Sequence, residues 1–312
     1  MMPVGRGGDR TGQWSGELRF DGRTAIVTGA GGGLGRAHAL LLAARGAAVV
    51  VNDVGADLSG RGREPALAEA VAAEIKAGGG RAIADDHDIA AAGAAEAIVE
   101  RAHRAFGPVD IVVNNAGVAE PARLERVQTE ALQRELGVHL VAAIHLTRVA
   151  WPDLRASVAG RVVNTTSGVG LFGLPGAVGY AAAKMAVIGM TKALALEGAA
   201  HGIAVNAVAP IARTRMAGDA FGDLAPRLDP TLVAAVVAWL AHSSCPVSGE
   251  VFSAGGGRVA RIVIGVGRGH HELELTPEDV ADHADEILAD PGVELSDALA
   301  ETDLIRAALE GP

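Results

Sequence analysis

The chain has 312 residues, 49% hydrophobic and 21% charged, with 42 glycines and a formal net charge of −10. That composition describes one large α/β domain with an appendage, and its acidity without any long basic run excludes nucleic acid and anionic membrane as expected partners. A single cysteine, Cys245, excludes an internal disulfide and a cysteine metal cluster, and reads as a small packed side chain. Apolar runs such as Thr231 to Ala241 are too short to span a bilayer, and MMPVGRGGDRTGQW has no apolar core of a secretory signal. A soluble, cytoplasmic protein with no metal is expected.

Residues 1–17, Gly- and Arg-rich without periodicity, read as a tail. Thr24 to Thr28 is a short apolar strand of the kind buried on both faces. It runs into Gly29-Ala30-Gly31-Gly32-Gly33-Leu34-Gly35 and then a helix from Arg36 to Arg45. Val49 to Asp53 is the second strand. A helix from Ala66 to Ala77, a strand at Arg81 to Ala84 and a helix from Ala94 to Phe106 follow. Asp110 to Val113 is the fourth strand, ending at Asn114-Asn115-Ala116-Gly117. One long helix is predicted from Thr129 to Val149. Arg161 to Thr165 is the fifth strand, with Ser167 just past its end, and a helix runs from Tyr180 to Ala200. Ile203 to Val208 is the sixth strand. Residues 211–230 form a loop, Thr231 to His242 a helix, and Glu250 to Ser253 the last strand. Beyond it Thr276-Pro277-Glu278-Asp279 is a helix start, with Thr as N-cap, Pro at the first position and acids in the first turn. Helices from Pro277 to Ala289 and Ser296 to Leu309 complete the chain.

Alternating strands and helices imply an α/β fold, a doubly wound parallel sheet (Rossmann-like) with a short helical C-terminal extension. The expected divisions are 1–17, 18–266 and 267–312. Ligands bind such sheets beyond the carboxyl ends of the strands. The glycine loop, Asn114, Ser167 and the loop after the sixth strand all fall there.

The chemistry starts from two constellations. Gly29, Gly33, Leu34 and Gly35 sit between a strand and a helix, where glycines admit a pyrophosphate and the helix start offers free N–H groups. Asp53 follows Gly35 by eighteen residues. An acid there accepts from adenosine ribose hydroxyls, which favours NAD and repels a 2′-phosphate. The alternative is an aspartate that starts a turn. Asp88 is a candidate adenine contact, and Arg36 suits phosphate or solvent equally. The second constellation is Tyr180-xxx-Lys184, one helical turn apart. A phenol is too weak a base at neutral pH, and an adjacent ammonium lowers its pKa. A Ser167 hydroxyl would hold an alcohol or carbonyl oxygen against Tyr180, which makes a proton-transfer site.

Thr28-Gly29-xxx-Gly33-x-Gly35, Asn114-Asn115-Ala116-Gly117, Ser167 and Tyr180-xxx-Lys184 together resemble the short-chain dehydrogenase/reductase family, over about residues 20–257. Phe20 to Arg23, Val50 to Gly55, Val138-His139-Leu140, Trp239-Leu240-Ala241-His242-xx-Cys245 and Thr276-Pro277-Glu278 narrow it. They resemble the (3R)-hydroxyacyl-CoA dehydrogenase domains of type 2 peroxisomal multifunctional enzymes, the 17β-hydroxysteroid dehydrogenase type 4 group. The resemblance implies NAD, Tyr180 as general base or acid, Lys184 on the nicotinamide ribose and Ser167 on the substrate oxygen. It also implies nucleotide contacts at Asn114, Ala116, Gly117, Tyr180, Lys184, Pro210 and Thr214. The family's Asn on the helix before strand five is replaced by His139, which leaves either a relay partner for the lysine or a packing residue. Pro210-Ile211 replaces the family's Pro-Gly.

The expected substrate is an acyl-CoA or steroid-like secondary alcohol; of the loop arginines Arg213, Arg215 and Arg227, the first two are candidates for the CoA phosphates, the alternative being solvated loop charges. Free hydroxysteroids or small alcohols, and a nucleotide sensor without turnover, are the alternatives. A homodimer or homotetramer through residues 129–149 and 180–200 is implied by the resemblance. The chain ends at Gly311-Pro312 without a peroxisomal tripeptide, so a stand-alone, bacterial enzyme is expected. His270 and His271 read as a solvated loop, and His87 and His103 as surface residues.

Overall fold

The computed structural model describes residues 16–218, 221–289 and 292–310. The expected tail lies almost wholly outside these residues. Two compact units divide the chain, residues 1–261 and 262–312.

The first unit follows its hydrophobic pattern. β1 (Thr24–Thr28), β2 (Ala48–Asn52), β4 (Ile111–Asn114) and β5 (Arg161–Thr165) are buried at every position, as sheets covered on both faces require. β3 (Arg81–Asp85), β6 (Ala204–Pro210), β7 (Val251–Gly255) and β8 (Arg258–Ile262) complete one sheet in the order β3-β2-β1-β4-β5-β6-β7-β8. Pairing from β3 to β7 is parallel. Strand order reverses between β1 and β4, the switch point at which a crevice opens.

The helices α1 (Gly33–Ala44), α2 (Ala66–Ala77) and α8 (Pro230–Ala241) supply one core with Ala25 and Val27 of β1. The opposite core takes Ile26 with α3 (Ala94–Phe106), α5 (Ala142–Ala156) and α7 (Val178–Ala199). Alternate residues of one strand thus feed two cores. Within the first core His38 of α1 is fully buried, with no hydrogen-bond partner at either ring nitrogen. Burial drives its pKa down to about 3, so the ring is neutral.

Four expectations change. The predicted helix 129–149 is α4 (Thr129–Leu136), a π-turn at Gly137–Val141 and then α5, which carries Pro152 inside it and runs on to Ala156. A short helix, α6 (Gly168–Phe172), follows Ser167. Loop 211–230 contains a 3₁₀ turn at Gly222–Arg227. The sheet does not end near Ser253: Gly256 and Gly257, both at positive φ, turn the chain into β8.

The second unit has β9 (Gly265–Val266) antiparallel to β10 (Val293–Glu294), with α9 (Pro277–Asp282), α10 (Ala284–Ala289) and α11 (Ala298–Glu310). Thr276 and Asp279 form a complete capping box at the start of α9. The predicted helix from Pro277 to Ala289 breaks at His283.

Candidate active site

The crevice begins at the glycine loop. Gly29 (φ +61) and Gly33 (φ +51) occupy the left-handed region that favours glycine. A Cβ on Gly35 would lie 2.1 Å from Gly29 O, and one on Gly29 2.8 Å from Ala116 Cα. Backbone therefore packs directly on backbone. Asn115 stitches the two turns together: its Nδ2 donates to Thr28 O (2.9 Å) and Gly29 O (3.2 Å). The Asn115 and Ala116 N–H groups donate to Thr28 Oγ1, each at 3.0 Å. Sequence reasoning named the Asn-Asn-Ala-Gly motif but missed this role of its second residue. Helix α1 opens at Gly32 without a side-chain cap, which leaves its first N–H groups to an anion. These residues fit the diphosphate of a dinucleotide.

Asp53 stands one residue beyond β2 and is half-buried. Its Oδ2 accepts from the Gly31 N–H (2.8 Å) and its Oδ1 from the Gly55 N–H (2.7 Å). Each carboxylate oxygen can accept again, so capacity for ribose hydroxyls remains. Asp88 is exposed and accepts from Ala90 N–H at 2.9 Å. Arg36 pairs with Glu74 at 2.6 Å. Asn114 turns its side chain inward: Nδ2 donates to Thr147 Oγ1 (3.0 Å) and Asn164 Oδ1 (2.8 Å). What it presents toward the crevice is backbone.

Tyr180 lies in the first turn of α7, with Lys184 one turn on. Lys184 is buried, its Nζ donating to Thr165 O at 2.6 Å and lying 5.6 Å from the Tyr180 ring centre. The Thr166 hydroxyl donates to Lys184 O (2.6 Å), which latches α7 to the end of β5. Ser167 caps α6 by accepting from Val169 N–H (3.1 Å), and its hydroxyl is close enough to the Tyr180 phenol to influence its titration.

The electrostatics differ from the sequence expectation. Burial raises the Tyr180 phenol above its ordinary value; the nearby Ser167 hydroxyl lowers it and the Glu135 charge raises it further. Burial lowers Lys184 to about 7. Desolvation thus outweighs the attraction expected between ammonium and phenolate. Glu135 was not foreseen. It is buried on α4, accepts from Glu120 N–H at 3.0 Å, and its carboxyl is raised by burial. A Cβ on Gly179 would come 2.2 Å from its Oε2, so the glycine beside Tyr180 makes room for it. The available clue was spacing: Glu135 precedes His139 by one helical turn.

His139 occupies the π-turn, a distortion frequent at functional sites. Its ring is buried, 5.1 Å from the Tyr180 ring and perpendicular to it. Nε2 lies 2.7 Å from Val118 O. A Cβ on Gly117 would meet Cε1 at 2.6 Å, so only glycine admits the ring. Burial, then the Lys184 charge, holds the imidazole well below its usual pKa.

Pro210 ends β6, and Ile211 N–H donates to Ala254 O (2.7 Å). The Thr214 methyl lies 3.6 Å from where a Gly33 Cβ would stand, which brings this loop to the glycine turn. Arg215 donates to Ala56 O (3.0 Å), and Arg213 is exposed.

The arrangement, a backbone cradle at a switch point beside Ser167, Tyr180 and a buried Lys184, has counterparts among known proteins. The short chain dehydrogenase family profile matches residues 23–224. Peroxisomal multifunctional enzyme type 2 of Mus musculus is 40% identical over 275 residues, 86% of this chain but 37% of that protein. This chain thus spans little more than a third of that relative. A hydroxyacyl-CoA dehydrogenase of Mycobacterium tuberculosis is 36% identical over 260 residues, covering 78% and 80% of the two chains. A crystal structure of a short chain dehydrogenase from Mycobacterium avium superposes with a TM-score of 0.75 at 35% identity, covering 88% of this chain and 97% of that one. The chain belongs to the short-chain dehydrogenase/reductase family. Along most of its length it is similar to part of that multifunctional enzyme.

No helix among the described residues is long and apolar enough to cross a membrane. Of the other histidines, His87 and His103 are exposed and pair with Asp85 (3.0 Å) and Asp153 (2.5 Å). Cys245 is buried. Within the C-terminal unit His270 is not the solvated residue expected. It stacks on His283 at 3.7 Å and lies 3.6 Å from Glu286, a contact hidden in sequence because α9 intervenes.

Proposed function

We propose that the protein is an NAD-dependent dehydrogenase interconverting the secondary alcohol and ketone of a 3-hydroxyacyl-CoA. The observation that carries this is the group of half-buried Ser167 and Tyr180 with buried Lys184 beside the glycine cradle. Bound NAD supplies the hydride acceptor in oxidation. Gly29, Gly33, Leu34 and Gly35 with the start of α1 would hold its diphosphate, and Asp53 the adenosine ribose. Ala116, Gly117, Pro210 and Thr214 would line the rest of the nucleotide, with Asp88 near the adenine.

Ser167 holds the substrate oxygen, and Tyr180 takes the hydroxyl proton during oxidation or returns it to the carbonyl oxygen during reduction. Lys184, fixed on Thr165 O, stabilises the phenolate when charged and contacts the nicotinamide ribose. Its depressed pKa puts that charge near balance at neutrality, a condition typical of functional lysines. NAD over NADP follows from the negative charge of Asp53, which repels a 2′-phosphate.

The acyl-CoA assignment draws support from the hydroxyacyl-CoA dehydrogenase among the relatives. It also draws on Arg213, Arg215 and Arg227, which put positive charge on the loop after β6 in an acidic chain. Arginine binds phosphate bidentately. Steady-state kinetics with a 3-hydroxyacyl-CoA and a matched free alcohol test the assignment. The Arg213→Ala/Arg215→Ala variant should raise KM for the thioester about tenfold and leave the free alcohol within twofold, a difference of about 1.4 kcal/mol. Equal losses on both, or better wild-type activity on the free alcohol, would remove CoA from the reading.

A further inference from the structure

Among the described residues, three buried polar atoms without a protein partner belong to residues that line a single cavity: His139 Nδ1, Asn114 Oδ1 and Thr165 Oγ1. Their neighbours there include apolar Ile89, Val138 and Val187. The cavity measures about 10 Å³ to the centre of a water-sized sphere, at the lower limit for one water molecule.

The hydrogen-bond chain around it fixes which atoms donate. The Thr191 hydroxyl donates to Val187 O (2.7 Å) and accepts from Asn164 Nδ2 (2.9 Å). Asn164 Oδ1 therefore accepts from Asn114 Nδ2, and Asn114 Oδ1 is left as an unpartnered acceptor. At His139, Nε2 is 2.7 Å from Val118 O and 3.3 Å from Val118 N. The closer partner is a carbonyl, which only accepts and would repel a bare ring nitrogen at that distance, so Nε2 carries the proton and Nδ1 is a second acceptor. The Thr165 hydroxyl is the remaining group and can donate. Two acceptors and one donor are the complement of one water, with two O–H groups and a lone pair. Three bonds is also the usual number for a buried water.

We propose that one internal water occupies this cavity, bound by His139 Nδ1, Asn114 Oδ1 and Thr165 Oγ1, and that it locks His139 in the neutral Nε2–H tautomer. His139 is then a positioning residue. Both its nitrogens are committed, one to Val118 and one to the water, so it relays no proton to Lys184. That last clause rests on the proposed role of Tyr180 and Lys184; the water and the tautomer do not. The water joins β4, β5 and the π-turn at a point where the side chains themselves do not meet. It gives the π-turn a reason: it brings the ring inward over Gly117.

Three measurements test this without an activity readout. A high-resolution crystal structure should place a water within hydrogen-bond distance of all three atoms; a dry cavity, or direct contact between His139 Nδ1 and Asn114 Oδ1, overturns the proposal. Nitrogen-15 NMR of the imidazole should report Nε2–H; the Nδ1–H form overturns it. Thr165→Val should lower Tm by about 2–4 °C, the effect of losing one buried bond in a chain of this size, and Thr165→Ser should largely restore it. An unchanged or raised Tm in Thr165→Val overturns the proposal, because removing an unpartnered buried hydroxyl would stabilise the fold.

Discussion

The two ends of the crevice treat their polar groups in opposite ways. At the glycine-loop end, proposed to hold the nucleotide, the turns are cross-braced. Asn115, Thr28 and Asp53 bond backbone groups of neighbouring loops, and glycines let main chains touch. At the end that holds Tyr180 and Lys184, proposed for proton transfer, charged and polar groups are buried with few partners. Lys184 falls to about 7, the Tyr180 phenol rises, and His139 Nδ1 and Thr165 Oγ1 have no protein partner. A binding cradle needs a fixed backbone that approaches an anion closely. Proton transfer needs groups whose charged and neutral forms lie close in free energy, and burial shifts them there. One sheet edge accommodates both because successive strands deliver each set separately.

Removing the titrating group should give the largest effect. Tyr180→Phe keeps the ring and its contact with His139 but loses the proton carrier. Turnover should fall by at least ~10²-fold, with nucleotide affinity within about twofold of wild type. Near-normal turnover would mean that the buried end is not the chemical end.

Gly35→Ala strikes the opposite end. Its methyl would stand 2.1 Å from Gly29 O, so the turn must move. Overpacking of this kind costs about 1–3 kcal/mol, and the nucleotide Kd, read by calorimetry, should rise about tenfold to a hundredfold. A variant that binds as wild type would show that the cradle tolerates displacement and that the contrast between the ends is overstated.

Asp53→Ser should weaken NAD by about tenfold and narrow its advantage over NADP, since a carboxylate that favours hydroxyls and repels phosphate is lost. Higher wild-type kcat/KM with NADP would overturn the assignment of Asp53.

The smallest effect concerns an exception at the braced end. His38 is buried on α1 with a pKa of about 3, against 6.5 for an ordinary imidazole. Its folded-state pKa is depressed, so the folded chain binds fewer protons than the unfolded one between these values. The stability it allows is fully present above about pH 6.5 and is lost as pH falls toward 3. Between pH 6.5 and 5.5 the loss is about 1 kcal/mol. His38→Leu should flatten that acid slope in urea denaturation; an unchanged slope would mean the ring finds a proton acceptor.

The strands and the order of helices were legible because their signal is local: apolar runs, glycine turns and capping residues. The helices 66–77 and 94–106 and the strand 161–165 fall where the pattern puts them. The π-turn was not legible, since Gly137-Val138-His139 carries no composition that separates π from α. The strand at 250–253 read as the last one, because the glycines at 256 and 257 that turn the chain into β8 give no strand signal of their own. At the site, the Tyr-Lys spacing exposed the pair, but the direction of its pKa shifts depends on burial, which spacing does not encode. Glu135 escaped because its partner Gly179 lies 44 residues away in the chain. The inward turn of Asn114 likewise follows from Asn164 and Thr147, which only the folded sheet brings near.

The central claim is that this crevice binds NAD and passes a hydride and a proton from a 3-hydroxyacyl-CoA. Its most direct measurement is NADH formation from NAD and that thioester, read beside NAD binding on the same preparation. The account predicts binding and turnover together, with turnover abolished and binding kept in Tyr180→Phe. NAD binding without NADH from any alcohol in a panel of thioesters, steroids and small alcohols would contradict it and favour a nucleotide sensor on the same fold.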